Sequence, residues 1–426
     1  MSESIVPSEA RPLDTVNPGP LDAIARRILH GTLNRLRYGK LNIIEGGTAV
    51  SYGQLEDSYP LEASITVHHP RCFGCLVFGG SVGAGEAYMA GYWRADDLTK
   101  VVRILTRNQD VLQALEGRFT LVSSPVNRFL HLLHRNTMKG SLSNIHAHYD
   151  LGNEFYSIFL DETMTYSCNV FDTPESTLEE AALNKYDRIC RKLRLGPDHR
   201  LIEIGTGWGG FAIHAASRYG CHVTTTTISR EQHSLAQSKV AEHGLEDRVD
   251  LLYKDYRDLT GTYDKLVSIE MIEAVGYERF DQFFRKCGSL LKEDGQLALQ
   301  AIVIADRYFE RAKRSVDFIR KYIFPGGCLP SVAAICSSTS RVTDLQLVHM
   351  EDITPHYAAT LQIWRERFTD KLERVRSLGY SDTFIRMWEY YLCLCEAAFA
   401  ERHIGDVQMI FSRPAARCDS ILGGLD

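Results

Sequence analysis

The stretch from Leu201 to Gly210 reads LIEIGTGWGG. Its first four residues make an apolar run suited to a buried strand, with one acid, Glu203, near the end. Glycines follow at alternate positions, Gly205, Gly207 and Gly209, and a helical pattern runs from Phe211 to Tyr219. Glycine permits the positive φ that a tight strand-to-helix turn needs, and lets a ligand lie against bare backbone at a helix N-terminus. The spacing is not the dinucleotide fingerprint, whose third glycine stands three residues after the second. It reads instead as the nucleotide turn of an S-adenosylmethionine methyltransferase.

Outward from this turn the chain alternates strand and helix, the pattern of a parallel sheet covered on both faces. The candidate strands are 200–205, 222–228, 249–254, 265–271, 296–302, 345–353 and 407–412. A long helical insertion is expected from Asp306 to Ser338, after the fifth strand. Strand-plus-helix units closing on a hairpin-like pair predict an α/β fold, the seven-stranded class I methyltransferase variant of the Rossmann architecture. Ligands in such sheets sit beyond the carboxyl ends of the strands. Gly205 to Gly209, Thr227, Asp255, Tyr256 and the segment Glu270 to Glu273 all fall there, so they are expected to converge.

The chain has 426 residues, a formal charge of −6 and 11 cysteines. Its length suits two domains. The negative balance argues against a general nucleic-acid binder. No apolar run reaches the roughly 18 residues of a membrane span. Residues 1–20 lack an apolar signal core and are expected to be flexible and cytoplasmic. The cysteines are too dispersed for a disulfide framework, and Cys72 and Cys75 have no second pair to complete a zinc site, so no metal is expected. The polar stretch His134 to Asn144 suggests a boundary between a smaller mixed α+β domain, 21–140, and a catalytic domain, 141–426.

Three further strings accompany the glycine turn: HYDLGNEFYSIFLDETMTYSC from His148, SIEMIEAVG from Ser268, and KYIFPGGCLPS from Lys321. With GEAYMAGYW, Gly85 to Trp93, they resemble the cyclopropane-fatty-acid synthase family, which includes the mycolic acid methyltransferases. The resemblance runs from about Gly80 to Pro414. It implies methylene transfer from S-adenosylmethionine to a cis-unsaturated phospholipid acyl chain, giving a cyclopropane. It implies a carbocation deprotonated by bound bicarbonate, a lid containing FPGGC, and transient contact with the inner membrane face through the N-terminal domain. A methyl-branched or methyl-alkene chain is the alternative product, and a homodimer is left open.

The same resemblance assigns residues. Tyr166, Ser167, Gly205 and Gly207 would contact the methionine part of the cofactor; Thr227, Ile228 and Gln232 the ribose and adenine; Tyr256 would cover the adenine. Glu203 and Asp255, at their strand ends, complete the expected cofactor set. Cys168 and Ile302 would hold the bicarbonate through backbone amides, with Glu273 and Tyr357 completing the cage. Gln300 stands where many bacterial members carry histidine. It can donate hydrogen bonds but cannot ionise near neutral pH.

Read without the resemblance, several of these residues have plainer roles. Cys168 alone is a buried small residue. Glu270 and Glu273 are two acids three apart, which would raise each other's pKa if they shared a buried face. His146 and His148 suit a helix entry better than a metal pair. The segment Leu21 to Lys40 carries five basic residues against one acid, interleaved with leucine and isoleucine. That pattern fits a membrane-surface helix and a packing helix equally.

Overall fold

The computed structural model describes residues 19–111 and 151–417. His146, His148, the stretch His134 to Asn144 and nearly all of the N-terminal segment therefore lie outside the described residues. The described chain forms two compact units. One holds residues 19–111, 315–323 and 364–403; the other holds 151–314, 324–363 and 404–417.

The first unit is built on a four-stranded sheet of β1 (Gly39–Glu45), β2 (Thr48–Gln54), β3 (Glu62–Val67) and β4 (Trp93–Ala95), in the order β2-β1-β3-β4. The helix Pro20–Leu33 ends before Arg35, Arg37 and Lys40, so only Arg26 and Arg27 of the five basic residues lie on it; it buries Ala25 and Leu33 and sets Ala25 against Phe73 and Val77 of the helix Arg71–Met89. Its Leu21 and Ile24 stay exposed. The helix Arg71–Met89 is kinked at Gly80, whose φ of 57° and ψ of −142° suit only glycine. The string GEAYMAGYW has a structural role here. A Cβ on Gly85 would stand 2.3 Å from the Phe318 ring. Glu86 accepts from the Tyr322 hydroxyl at 2.6 Å and pairs with Lys321.

The second unit carries a seven-stranded sheet of β5 (Arg200–Ile204), β6 (His222–Thr227), β7 (Val249–Tyr253), β8 (Tyr263–Ile269), β9 (Leu291–Ile304), β10 (Gln346–Asp352) and β11 (Ile404–Ser412). Their order is β10-β11-β9-β8-β5-β6-β7; only β11 runs antiparallel to its neighbours. This is the seven-stranded Rossmann-like arrangement that the strand pattern predicts. The chain reverses order on the two sides of β5, so ligand-binding loops gather beyond its carboxyl end. Two apolar clusters cover the sheet, one around Phe283, Phe284 and Ile335, the other around Ile189, Phe211 and Val240. The insertion after β9 is not one long helix. It divides into the helix Asp306–Ala312, a π-helical turn Ile319–Ile323 and the helix Val332–Val342, with Pro325, Gly326 and Gly327 interrupting the helical run.

Candidate active site

The glycine turn leaves β5 with Gly205 at φ 103°, Gly207 at 53° and Gly209 at 91°. Gly209 caps the helix Gly210–Tyr219, so that helix's first amide groups point into the turn. The neighbouring Gly210 is required as well, for a Cβ there would meet the Tyr186 hydroxyl at 2.7 Å. Around Gly207 there is open space: a Cβ built on it meets nothing within 4 Å.

Glu203 is buried beneath the turn and accepts a 2.6 Å hydrogen bond from the Thr225 hydroxyl. Burial pushes its carboxyl up to about 8, against the opposing effects of that bond and of Lys185. A carboxyl raised in the folded state stabilises the fold below the unfolded value of 4.5 and loses that contribution as pH rises through about 8. Glu203→Gln is therefore expected to flatten the decline of Tm between pH 5 and 8.5. A thermal-melt series in which wild type and variant decline in parallel overturns the assignment.

At the end of β6 the Thr227 hydroxyl donates to Gln232 Oε1 at 2.8 Å. Ser229 caps the following helix, and its hydroxyl accepts from the Gln232 amide. Gln232 is thus fixed with its carboxamide nitrogen available as a donor, and Ile228 stands half-buried beside it. Asp255 forms a two-pronged pair with Arg257, at 2.8 and 2.6 Å. Burial works against its charge, but this pair and the Arg257 amide outweigh it and hold the carboxyl low. Tyr256 packs edge-on against Phe283, with centroids 5.6 Å apart. Tyr166 lies against Tyr156 and Phe159. Ser167 accepts at 2.7 Å from the ammonium of Lys185, a fully buried lysine.

The expected cage residues do converge, and Glu270 stands at their centre. Its Oε1 accepts from the Cys168 amide at 2.8 Å and from Gln300 Nε2 at 2.8 Å; its Oε2 accepts from the Tyr357 hydroxyl at 2.7 Å. The Ile302 amide goes to Glu273 Oε1, at 2.6 Å. Glu270 and Glu273 reach the site from a broken segment rather than one face of a helix. Glu270 has φ 47°, a left-handed conformation costly to a non-glycine residue, and Glu273 lies in the short 3-10 turn Ile272–Ala274.

A third acid, Asp406 on β11, completes the cluster and accepts from Gln300 Nε2 at 3.1 Å. Sequence reasoning missed it. The available signal was an acid standing immediately before the apolar strand run that begins at Val407. Burial, then the charge of Glu270, pushes Asp406 well above the carboxylate range. The same two causes, in the same order, raise Glu273 to about 8. Burial also raises the Cys168 thiol, with Asp406 and Glu270 adding to the effect, so the sulfur stays protonated and only its backbone serves. Burial thus favours the protonated forms of Glu273 and Asp406, while Glu270 accepts from three donors. The backbone of the segment Phe324–Cys328 closes on this cluster, for the Cys328 amide donates to the Glu273 carbonyl at 2.7 Å.

The orientation of Gln300 follows from chemistry. The Lys192 ammonium can only donate, and it does so to Gln408 Oε1 at 2.6 Å. Gln408 must then present its nitrogen, which donates to Gln300 Oε1 at 3.1 Å. That leaves the Gln300 nitrogen to face Glu270 and Asp406.

Comparison with known proteins places this geometry. The family profile described as mycolic acid cyclopropane synthetase matches residues 136–409. A tuberculostearic acid methyltransferase of Mycobacterium tuberculosis is 37% identical over 408 residues, covering 93% of each chain. The cyclopropane-fatty-acyl-phospholipid synthase of Escherichia coli is also 37% identical, over 363 residues, covering 82% of this chain and 88% of its own. A solved mycolic acid cyclopropane synthase complexed with SAH and CTAB superposes with a TM-score of 0.60 at 31% identity, covering 64% of this chain and 98% of that one.

Proposed function

We propose, from the premise that the chain belongs to the mycolic acid cyclopropane synthetase family and is an S-adenosylmethionine-dependent methyltransferase, that it methylates the cis double bond of phospholipid acyl chains and closes the product to a cyclopropane. The observation that carries this reading is the chemistry of the buried site. It offers a carboxylate acceptor and protonated acids, and its thiol is held neutral. The nearby imidazole, His356, is turned away to the backbone amide of Phe171 at 3.2 Å. Among the described residues such a site presents no thiolate and no free imidazole as the base for an oxygen or nitrogen nucleophile. An alkene needs none, because its π electrons attack without prior loss of a proton.

The residues present fit S-adenosylmethionine. The glycine turn has space above Gly207, and Gln232 and Ile228 stand ready for the polar and apolar parts of the nucleoside. When bound there it supplies an electrophilic methyl group and leaves as a thioether. The protein's own part is to hold the alkene in line and to exclude water from the cation that develops on the acyl chain. The substrate lies in a bilayer, so the enzyme must work at a membrane surface. Among the described residues no helix is long and apolar enough to cross one. Exposed Leu21 and Ile24 on the helix Pro20–Leu33 supply apolar contact for such a surface.

A methyl-branched or methyl-alkene product is the second reading. It is favoured by the tuberculostearic acid methyltransferase, which matches across 93% of both chains. Purified protein incubated with S-adenosylmethionine and cis-monounsaturated phospholipid liposomes is expected to yield upfield cyclopropyl proton signals as the vinyl signals disappear. A surviving vinyl proton with one added CH2 by mass selects the second reading. Absence of any lipid product overturns both.

A further inference from the structure

We infer that the carboxylate of Glu270 is the base that removes the proton from the methylated cation, and that it fills the place where a bicarbonate ion would otherwise bind. This inference rests on the function proposed above, and holds for either product, since ring closure and methyl-alkene formation each require one proton to leave.

The first argument is occupancy. An anion held by the Cys168 amide, Gln300 and the Tyr357 hydroxyl would need those three donors, and all three already bind Glu270 at 2.7 to 2.8 Å. The Ile302 amide is taken by Glu273. A bicarbonate ion would also add a negative charge beside the half-buried Glu270 and the neighbouring carboxyls of Glu273 and Asp406. Burying a further unpaired charge there is prohibitively unfavourable. The residues therefore do not fit bicarbonate.

The second argument is elimination. Burial favours the protonated forms of Glu273, Asp406 and the Cys168 thiol, the Tyr357 hydroxyl donates to Glu270, and the Lys185 side-chain nitrogen donates to Ser167. Glu270 is the remaining acceptor. Loss of a methyl proton discharges the cation as the ring closes, so what counts in the accepting group is its position against that methyl and its negative charge.

The third argument is placement. Glu270 directly follows β8 at the carboxyl edge of the sheet, and the next residue, Met271, lies against Gly205 of the cofactor turn. A Cβ on Gly205 would stand 3.2 Å from the Met271 side chain. The left-handed backbone at Glu270, with its amide bound to the Gln300 carbonyl at 2.9 Å, turns the side chain into the donor cluster. Strain of this kind persists only where surrounding contacts enforce it.

The step balances without an added reactant. The alkene π pair has become the new bond to the methyl carbon, leaving the neighbouring acyl carbon positive. A Glu270 oxygen forms a bond to one methyl hydrogen. The C–H electron pair closes onto the positive carbon and completes the ring. The carboxylic acid so formed releases its proton to solvent, one per turnover.

The test uses the full chain with S-adenosylmethionine and liposomes in CO2-depleted buffer, with and without added bicarbonate, alongside 13C-bicarbonate NMR in the absence of lipid. Wild type is expected to turn over at a rate unchanged within about twofold by bicarbonate, and to bind no 13C-bicarbonate. Glu270→Gln is expected to lose about 100-fold or more in turnover while binding S-adenosylhomocysteine within about threefold of wild type. Glu270→Gly, which empties the donor cluster, is expected to bind 13C-bicarbonate. Wild-type turnover that falls on CO2 removal, or bicarbonate bound to wild type, overturns the inference, and neither result depends on a variant folding. Near wild-type turnover in Glu270→Gln overturns it too. If wild type makes no lipid product, the proposed function fails, and the NMR measurement still decides whether Glu270 fills the anion site.

Discussion

In Gly207→Val, binding of S-adenosylhomocysteine measured by calorimetry is expected to fall at least about 100-fold, while the unfolding transition moves little. The two halves of this expectation have different causes. Gly207 has φ 53°, a left-handed conformation that a β-branched residue adopts at a cost of about 1–2 kcal/mol. No protein atom beyond the two chain neighbours lies within 4 Å of the added Cβ, so the new side chain starts from open space. A ligand laid against the turn does meet the new side chain. Overpacking of about 3 kcal/mol corresponds to roughly 100-fold in affinity. Gly210 is the wrong residue for this purpose, because a Cβ there strikes the Tyr186 hydroxyl at 2.7 Å and disturbs the fold itself. Normal binding in a well-folded Gly207→Val protein places the cofactor elsewhere.

All seven strands of the second unit were legible because each carries a local signal, a short apolar or β-branched run bounded by turn residues. The extra length at the start of β11 was not. Gly405 and Asp406 separate Ile404 from the apolar run that starts at Val407, and the strand character of these three residues comes from pairing with Ile304, Val303 and Ile302 on β9, about 100 residues away in sequence. Propensity is local, whereas this pairing is tertiary. The same limit applies to the first unit. The segments 315–323 and 364–403 belong to it although they lie far along the chain. Phe318 and Tyr390 pack together, with ring centroids 4.7 Å apart, at a point that only Gly85 leaves open.

The site was legible in its members more than in its arrangement. Cys168, Glu273, Gln300, Ile302 and Tyr357 come from four separate segments, and the resemblance to a family drew them together. The two acids of SIEMIEAVG could not be told apart by spacing. Their difference is environmental: Glu270 collects three donors, whereas Glu273 has one backbone amide on Oε1 and no hydrogen-bond partner on its buried Oε2. A motif gives the residue types, but which carboxyl keeps its proton is decided by burial and by the donors that the fold brings to it.

The largest stability effect is expected from Gln300→Glu, and it is also the most pH-dependent. The variant is nearly isosteric, and the oxygen that faces Gln408 keeps its bond. The other oxygen replaces the nitrogen that donates to Glu270 and Asp406, so a donor becomes an acceptor between two acids. It can restore one bond only by holding a proton. The introduced carboxyl therefore has a folded-state pKa raised by burial and by its acidic neighbours. Its contribution is retained below the unfolded carboxyl value and lost as pH rises. Melting temperatures near wild type at pH 5 are expected to give way, by pH 8, to a loss on the order of 3–5 kcal/mol, the usual cost of breaking a buried charged network. Gln300→His separates donor loss from altered shape. A neutral imidazole can accept from Gln408 with one nitrogen and donate to Glu270 with the other, so its melting temperatures are expected to run parallel to wild type over the same range. Gln300→Glu melting in parallel with wild type from pH 5 to 8 means that the Gln300 amide does not face the acids. The chain of donors from Lys192 through Gln408 would then not be what orients Glu270.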